Sequence, residues 1–372
     1  MPTPDPTFSA LDHAHMAHAL RLAERGLYTT RPNPRVGCVI AHGERVVGAG
    51  FHRRAGGPHA EVFALREAGA AARGATAYVT LEPCAHHGRT PPCADALVAA
   101  GVARVVVAAE DPFPQVAGRG IGRLRAAGIA VDAGLLREAA RELNVGFFSR
   151  IERGRPWVRL KLAMSLDGRT ALADGASKWI TGEAARADVQ RWRARSSAIL
   201  TGIGTVLADD PRLTVRLPQD VPFEAPLRVV LDSRLRTPAG AALFDDGSPV
   251  LLIGLPGVRG DAREALAARG AVFGEAPAGA DGRPDLAAVL AQLAAREVGE
   301  LHVEAGPRLC GELFAQGLAD ELLLYVAPVL LGSAARPLLE LPPLADMAAR
   351  WRLHVVDRRQ LGEDTRLLLR PR

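Results

Sequence analysis

One histidine and two cysteines place the strongest constraint on how this chain can fold. His59 precedes Glu61 by two residues, and Cys84 and Cys93 each follow a proline. An imidazole and two thiolates make three ligands, the number that a catalytic zinc site uses while its fourth position stays open to water. A fold that uses them together has to bring three separate segments of the first half of the chain to one point.

The carboxylate of Glu61 adds a second element to this pattern. Such a glutamate is not a zinc ligand but moves protons between water, a ring nitrogen and a leaving amine, and H-x-E followed by P-C…C is typical of zinc-dependent base and nucleoside deaminases. The spacing departs in one respect, because eight residues separate Cys84 from Cys93 where nucleic-acid and nucleoside deaminases have two. The inserted segment 85–92 is polar and basic, so we expect it to contact substrate.

Simpler interpretations of these residues have to be weighed. A single histidine is often an ordinary surface or core residue, and two cysteines in an intracellular protein are often buried thiols. The joint occurrence with Glu61 and the two prolines argues against coincidence. A purely structural zinc site would need a fourth protein ligand, which His86 or His87 would have to supply.

Length, charge and cysteine content exclude several classes of protein. The chain has 372 residues, enough for two domains of ordinary size. Its net charge of +5 is too small and diffuse for nucleic-acid binding, although it suits a small phosphorylated substrate. The pattern shows neither a signal peptide nor a membrane-spanning segment. Cys38 and Cys310 remain as expected buried thiols, which indicates a reducing cytoplasm.

Helical and strand periodicities alternate over residues 1–146. They predict helices over 11–25, 58–68, 92–100, 121–127 and 135–143, and strands over 36–40, 46–49, 75–81, 102–108 and 129–132. This alternation predicts a three-layer α/β domain, followed by a linker over 144–155. Asn33 lies in a loop between two prolines, where a rigid amide suits recognition of a pyrimidine edge, although simple turn chemistry explains it equally well.

Residues 147–372 predict a second α/β domain. Its expected strands cover 157–164, 198–201, 227–231, 250–253, 300–304 and 322–328, and its main expected helices cover 183–195, 261–269 and 285–296. Two strand ends carry glycines, at Gly202 and Gly204 and again at Gly306, which suggests a dinucleotide across the carboxyl edge of a sheet. Ordinary α/β turns remain the alternative, because the segment has no G-x-G-x-x-G motif.

Taken together, these motifs resemble those of the bifunctional riboflavin-biosynthesis deaminase–reductases. The resemblance extends from about residue 11 to 330 and is weak over 217–300. The matching motifs are Asn33-Pro34-x-Val36-Gly37, His59-Ala60-Glu61, Glu82-Pro83-Cys84 through Pro92-Cys93, Lys161-Leu162-Ala163-x-Ser165-Leu166-Asp167-Gly168, Trp179-Ile180-Thr181, Thr205-Val206-Leu207-Ala208-Asp209-Asp210-Pro211-x-Leu213-Thr214-Val215-Arg216 and Val303-Glu304-Ala305-Gly306-Pro307.

The resemblance implies a cytidine-deaminase-like three-layer α/β/α domain over 1–146 and a dihydrofolate-reductase-like α/β domain over 147–372. The first would use Zn²⁺ to hydrolyse the 2-amino group of 2,5-diamino-6-ribosylamino-4(3H)-pyrimidinone 5′-phosphate. The second would use NADPH to reduce the ribosyl group, giving 5-amino-6-(5-phosphoribitylamino)uracil. We expect a cytoplasmic homo-oligomer whose partner is this phosphorylated pyrimidine, with no nucleic acid and no membrane.

The expected deaminase site combines the residue pattern with the resemblance. His59, Cys84 and Cys93 would bind zinc, which lowers the pKa of a bound water, and Glu61 would accept and return its proton. Asn33 and the segment 86–90, with His86 foremost, are the candidates for binding substrate. His52 is a further candidate, but it is as well explained as a surface residue.

In the expected reductase site, Lys161 at the end of a strand is the catalytic candidate, because a cation can compensate the charge that develops during hydride transfer. Lys178, in a loop, is expected to be exposed. By resemblance, NADPH would contact Ala163, Thr170, Trp179, Thr205, Asp209 and Gly306. By the same resemblance, the phosphorylated substrate would be held by Ser177, Arg193, Leu213, Arg216 and Glu304.

Two rival functions are less consistent with the sequence. A nucleic-acid-editing deaminase would need a basic groove with stacking aromatic residues, but the chain has only 4 Trp, 3 Tyr and 10 Phe, without a cluster. A degenerate reductase half that only supports oligomers is the second rival. The presence of Lys161, Asp209 and Glu304 argues against it.

Overall fold

The computed structural model describes residues 7–85, 92–258 and 262–372. The chain forms two compact units, one ending at Arg153 and the other spanning Gly154–Arg372. Much of the expected linker is helical, because the helix Val145–Arg153 packs the buried Phe148 into the core of the first unit. No helix in the three described ranges is long and apolar enough to cross a membrane.

The first unit is built on a five-stranded sheet. Its helices are Ala10–Glu24 (α1), Ala60–Ala68 (α2), Cys93–Ala100 (α3), Arg119–Ala126 (α4), Arg137–Leu143 (α5) and Val145–Arg153 (α6), and its strands are Gly37–His42 (β1), Arg45–Phe51 (β2), Thr76–Leu81 (β3), Arg104–Ala109 (β4) and Ala130–Ala133 (β5). The strand order is β2-β1-β3-β4-β5, with β1 antiparallel to both neighbours and β3, β4 and β5 parallel.

Alternate residues of these strands face two separate cores. Ile40 and Val105 pack against α2, α3 and α4, whereas Val39 and Val106 pack against α1, α5 and α6. The expected three-layer α/β/α arrangement is confirmed. Helix α2 lies very close to β2, since a Cβ added at Gly50 would be 2.6 Å from the carbonyl oxygen of Ala60. This close approach fixes the N-terminus of α2, which carries the histidine and glutamate of the expected metal site.

The second unit is built on a nine-stranded sheet. Its strands are Trp157–Ser165 (β6), Arg169–Ala171 (β7), Ala198–Gly202 (β8), Leu227–Leu231 (β9), Val250–Gly254 (β10), Ala271–Glu275 (β11), Glu300–Val303 (β12), Glu321–Ala327 (β13), Arg336–Pro337 (β14), Leu353–Leu361 (β15) and Asp364–Pro371 (β16). Its helices are Glu183–Arg195 (α7), Ile203–Asp209 (α8), Ala262–Ala268 (α9), Leu286–Ala295 (α10) and Pro307–Ala315 (α11).

The large sheet has the order β11-β10-β9-β8-β12-β6-β13-β16-β15, and β7 pairs separately with β14. The first seven strands of this order, from β11 through β6 to β13, run parallel to one another. Strand β16 is antiparallel to β13, and the edge strand β15 is antiparallel to β16. One face packs on α10 and α11 through an aliphatic core, while the other packs on α7 through Val189, Leu323 and Tyr325. The expected second α/β domain is thus present.

Candidate active sites

The three expected metal ligands meet at one point of the first unit. His59 is the N-cap of α2, Cys84 follows β3, and Cys93 begins α3. Their ligand atoms lie within 4.8 Å of one another. His59 Nδ1 is 3.3 Å from Cys93 Sγ and 3.6 Å from Cys84 Sγ. One nitrogen and two sulfur donors, with no fourth protein donor among the described residues, fit a catalytic zinc site rather than a closed structural one.

The two thiols of this cluster interact strongly. The pKa of Cys84 is lowered to about 4. The largest cause is a hydrogen bond from the Cys93 thiol, and contacts with His59 and the Cys93 amide lower the pKa further. The Cys84 thiolate and burial raise the pKa of Cys93 in turn. A hydrogen bond to Cys84 also raises the pKa of His59. The arrangement therefore gathers negative charge on sulfur where a divalent cation can bind both cysteines as thiolates.

Glu61 lies in the first turn of α2 and is only 3 % exposed. Burial raises the pKa of its carboxyl, whereas the neighbouring His59 and a hydrogen bond with Cys93 act in the opposite direction. The carboxyl therefore borders the ligand cluster without being one of the three grouped ligands. A carboxyl with a raised pKa beside a metal centre is suited to carry a proton in both directions.

Asn33 and His52 form a polar pair next to these ligands. His52 is buried, and its ring centroid is 5.4 Å from that of His59. His52 Nδ1 lies 3.0 Å from the carbonyl oxygen of Pro58, which makes Nδ1 the donor and leaves Nε2 to accept from Asn33 Nδ2 at 3.1 Å. The interpretation of His52 as a surface residue is therefore wrong. His86 and His87 lie outside the described residues.

Glu82, the first residue of the Glu82-Pro83-Cys84 motif, has a structural role that the sequence did not predict. Its buried carboxylate accepts hydrogen bonds from four backbone amides, at Asp111, Gly118, Gly120 and Ile121, over 2.9–3.3 Å. These amides belong to the loop after β4 and to the start of α4. Glu82 thereby joins the segment that carries Cys84 to the neighbouring strand end. The glutamate immediately before P-C was the only available sequence signal.

Asp111 was also missed. It follows β4, and burial, reinforced by the negative charges of Glu82 and Cys84, raises its pKa to about 6. Its Oδ1 accepts a hydrogen bond from the amide of Phe113 at 2.8 Å. No local pattern marks this aspartate, because its environment depends on the parallel pairing of β3 with β4.

In the second unit, Lys161, Glu304 and Arg193 form the centre of the other expected site. Lys161 lies on β6, and Glu304 follows β12, which is paired with β6. Arg193 on α7 donates from Nε and Nη2 to Glu304 at 2.5 and 2.9 Å, and from Nη1 to the carbonyl oxygen of Thr214 at 2.8 Å. The three residues come from a helix and two neighbouring strands.

The charges of this group are coupled. Burial lowers the pKa of Lys161. The negative charge of Glu304 partly offsets this lowering, and the positive charge of Arg193 adds to it. Burial alone would raise the pKa of Glu304. Arg193 outweighs this effect and, with smaller contributions from His302 and Lys161, holds the pKa well below its ordinary value. Glu304 is therefore a carboxylate at neutral pH, facing a lysine that loses its proton more readily than an exposed one.

The remaining expected residues of this unit are placed as follows. Ala163 is on β6, Thr205 and Asp209 are on α8, and Gly306 is the N-cap of α11. Because β8, β12 and β6 are parallel neighbours, the segments that follow β8 and β12 lie at one sheet edge with the end of β6. The ends of parallel strands are where a dinucleotide is expected to bind, and this expectation stays a prediction.

The other expected contact residues lie on β7 and in loops of the second unit. Trp179 is 70 % exposed, and Lys178 is exposed as expected. Thr170 is on β7, and Ser177 is half-buried between β7 and α7. The segment carrying Leu213 and Arg216 is held by α7, since Gln190 Oε1 accepts from the amide of Arg216 at 3.0 Å. Leu213 is buried, whereas Arg216 is exposed.

Comparison with known proteins agrees with both units. The family model for the cytidine and deoxycytidylate deaminase zinc-binding region matches residues 9–109, and that for the RibD C-terminal domain matches residues 156–367. The riboflavin biosynthesis protein RibD of Escherichia coli is 50 % identical over 370 residues, covering 96 % of this chain and 99 % of that protein. The Haemophilus influenzae RibD is 46 % identical over 98 % of this chain and 99 % of that protein.

Solved structures give the same result. Acinetobacter baumannii RibD has a TM-score of 0.90 and 48 % identity, covering 97 % of this chain and 99 % of that one. A diaminohydroxyphosphoribosylaminopyrimidine deaminase/5-amino-6-(5-phosphoribosylamino)uracil reductase from Thermotoga maritima has a TM-score of 0.85 and 32 % identity over the same shares of each chain.

Fold, ligand cluster and similarity define a bifunctional enzyme, in which a zinc-dependent deaminase domain precedes an NADPH-dependent reductase domain with a dihydrofolate-reductase-like fold. The chain belongs to the RibD family of riboflavin biosynthesis proteins.

Proposed function

We propose that the first unit deaminates 2,5-diamino-6-ribosylamino-4(3H)-pyrimidinone 5′-phosphate and that the second unit reduces the ribosyl group of the product with NADPH. The observation that carries the proposal is the convergence of His59, Cys84 and Cys93 beside buried Glu61, in a chain whose second unit assembles Lys161 with a carboxylate. The activities printed for the Thermotoga maritima protein supply the substrate class. We assign deamination to residues up to Arg153 and reduction to Gly154–Arg372.

In the deaminase site, we assign His59, Cys84 and Cys93 to zinc binding. When bound, Zn²⁺ supplies Lewis acidity that activates water for attack on the amine-bearing ring carbon. Glu61 accepts one proton of the attacking water and delivers it to a ring nitrogen. It then accepts the second proton from the newly added hydroxyl group and delivers it to the amino group, which leaves as ammonia. The burial that raises the pKa of Glu61 lets its carboxyl hold each proton between uptake and delivery.

Asn33 orients the pyrimidine in this proposal. Its Nδ2 is committed to His52 Nε2, so its Oδ1 is left to accept from an N–H group of the substrate. His52 is itself fixed by the carbonyl oxygen of Pro58, the residue before the ligand His59. Substrate orientation and the metal site are therefore linked through one short segment. We assign His86 to substrate binding from the resemblance alone.

In the reductase site, NADPH supplies the hydride when bound, and its contacts are assigned to Ala163, Thr170, Trp179, Thr205, Asp209 and Gly306. The ammonium of Lys161 compensates the negative charge that develops on the sugar oxygen as its ring opens and C1′ is reduced. Ser177 and the backbone at buried Leu213 contribute to substrate binding.

Arg193 and Arg216 have different parts in this proposal. Each of the three nitrogens of Arg193 already donates a hydrogen bond, to Glu304 or to Thr214. Arg193 therefore acts on the substrate mainly by orienting Glu304. Arg216 is exposed, and its planar guanidinium is suited to bind the substrate phosphate bidentately.

We also propose that the protein is a cytoplasmic homo-oligomer. Its cysteines are free thiols, which suits a reducing compartment. Strand β15 forms an edge of the large sheet, and its Val355 and Val356 are 59 % and 39 % exposed. The unpaired backbone groups of an edge strand can pair with a second chain, which would also cover these two valines. Val355→Lys is expected to reduce the mass measured by sedimentation equilibrium, and an unchanged mass would exclude this edge as the interface.

The proposed function is tested by following ammonia release and NADPH absorbance in one sample after adding the diamino-pyrimidinone ribosyl phosphate to zinc-loaded protein. Both signals are expected, and a chelator should stop both, because the reductase consumes the product of the deaminase. Ammonia without NADPH oxidation would contradict the reductase assignment, and neither signal would remove the substrate assignment altogether.

A further inference from the structure

His302 lies at the centre of the reductase unit but has no part in the function described above. It is on β12, between β8 and β6, and is fully buried. Strand pairing places it beside Arg159 of β6, and Glu304 two residues further on extends toward Lys161. Side chains two residues apart along an extended chain lie on one face of the sheet, so His302 and Glu304 are neighbours on the same face.

The only ion-pair contact recorded for His302 within the described ranges is with Glu304. Its Nε2 lies 3.3 Å from Glu304 Oε1, and neither ring nitrogen makes a well-aligned hydrogen bond with the described residues. Leu301 and Val303, which flank His302, belong to the opposite, aliphatic core. A polar ring buried with so few partners is costly for stability, and an apolar residue of similar size would avoid that cost.

The charge state of His302 follows from its surroundings. Burial lowers its pKa, the carboxylate of Glu304 opposes this effect, and the guanidinium groups of Arg159 and Arg193 reinforce it. The ring is therefore neutral at neutral pH and has one N–H group. The tautomer with hydrogen on Nε2 is the stable one, because Nε2 faces a carboxylate oxygen and an unprotonated nitrogen there would be repelled.

We infer that His302 is a positioning residue of the reductase site, which holds Glu304 through the 3.3 Å electrostatic contact between its Nε2–H and Oε1. Arg193 contacts both carboxylate oxygens from the side of α7, and His302 contacts Oε1 from within the sheet. These contacts on two sides restrict rotation of the carboxylate away from Lys161. This inference rests on the proposed reductase site.

The test compares His302→Gln with His302→Met, which have nearly the same shape and differ in having or lacking an amide donor. The Met variant is expected to lower kcat for NADPH oxidation about tenfold, with the KM for NADPH unchanged, because a misplaced group costs rate rather than cofactor binding. The Gln variant should recover most of the rate. The melting temperature of the Met variant should equal or exceed that of the wild type, which a purely structural histidine would not allow.

Two controls belong to this test. His354→Leu removes an exposed histidine from β15 and should leave NADPH oxidation unchanged. Ammonia release, measured on the same preparations, should be unchanged in every variant. If the Met variant fails to fold, His302→Leu replaces it in the comparison with Gln.

Two results would overturn the inference: a wild-type kcat in the Met variant, or an equal loss in the Gln and Met variants. Lys161→Ala distinguishes these results from a failure of the proposed site. Loss of reduction in Lys161→Ala with normal kcat in His302→Met would reject only the role of His302. Normal reduction in both would reject the reductase site itself and the inference with it.

Discussion

Glu61 has the environment that a proton carrier needs, because it is buried in the first turn of α2 beside the ligand cluster. Glu61→Gln keeps the shape but removes the exchangeable proton. We expect ammonia release to fall by ~10²–10⁴-fold, the range typical of general acid–base catalysis, while zinc content measured by mass spectrometry stays unchanged.

Glu44→Gln is the matched control for this substitution, since Glu44 is exposed in the turn between β1 and β2. It should leave both activities unchanged. A loss of zinc in Glu61→Gln would mean that the carboxyl is needed to build the site, and the catalytic assignment would then be withdrawn.

Lys161 provides the corresponding prediction for the reductase. Lys161→Ala is expected to reduce NADPH oxidation by ~10²-fold while sparing ammonia release, because the developing negative charge loses its compensating cation. Arg296→Ala, at an exposed position after α10, is the control. Equal loss of both activities in Lys161→Ala would indicate a folding role instead.

The pH dependence of reduction follows from the same lysine. Burial lowers the pKa of Lys161 from 10.5, so the ammonium required for charge compensation is lost at a lower pH than for an exposed lysine. The rate of reduction of the deaminated substrate should therefore fall as the pH rises, and this fall should be centred below pH 10.5. A rate that rises steadily through this range would show that the neutral amine is the active form.

At the scale of elements, Glu82 connects two strand ends of the deaminase. Its four backbone amide donors lie in the loop after β4 and at the start of α4. Glu82→Gln replaces one acceptor oxygen by an NH₂ group. This donor would face the hydrogens of backbone amides, so their hydrogen bonds would be lost. We expect a loss of about 2 kcal/mol in the free energy of unfolding of this unit, together with weaker zinc retention.

Glu110→Gln is the control for this prediction, because Glu110 is exposed in the same loop. Chemical denaturation and a chelator competition would measure the two effects. Wild-type stability and zinc retention in Glu82→Gln would show that the loop holds its position without the carboxylate.

The sequence predicted a helix or strand correctly where buried residues recur in it at a regular spacing. Strand β6 was expected over 157–164 and is found at Trp157–Ser165. Strands β15 and β16 were not predicted, because charged residues obscure their alternation. Arg366 on β16, for example, is buried only because Asp188 of α7 and Asp357 of β15 neutralise it. Such long-range ion pairs have no local signature.

The same distinction explains the sites. The metal ligands could be predicted because zinc chemistry restricts both residue type and spacing. His302 could not, since it lies between Leu301 and Val303 in a strand whose pattern indicates only burial. Its significance depends on Glu304, which the pairing of β12 with β6 brings toward Lys161.

At the scale of the whole molecule, the two activities should respond separately to metal removal. Each unit has its own hydrophobic core, and the three grouped ligands all lie in the first unit. Chelation should therefore abolish ammonia release but leave NADPH oxidation intact when the deaminated substrate, 5-amino-6-(5-phosphoribosylamino)uracil, is supplied directly.

Calorimetry would test the same separation through stability. Zinc stabilises only the unit that binds it, by about 2.7 kcal/mol when its free concentration is a hundred times its dissociation constant. Chelation should lower the unfolding temperature of the deaminase unit and leave that of the reductase unit unchanged. If both transitions fell together, the two units would unfold as one cooperative body, and loss of reduction on chelation would then reflect stability rather than the supply of substrate from one site to the other.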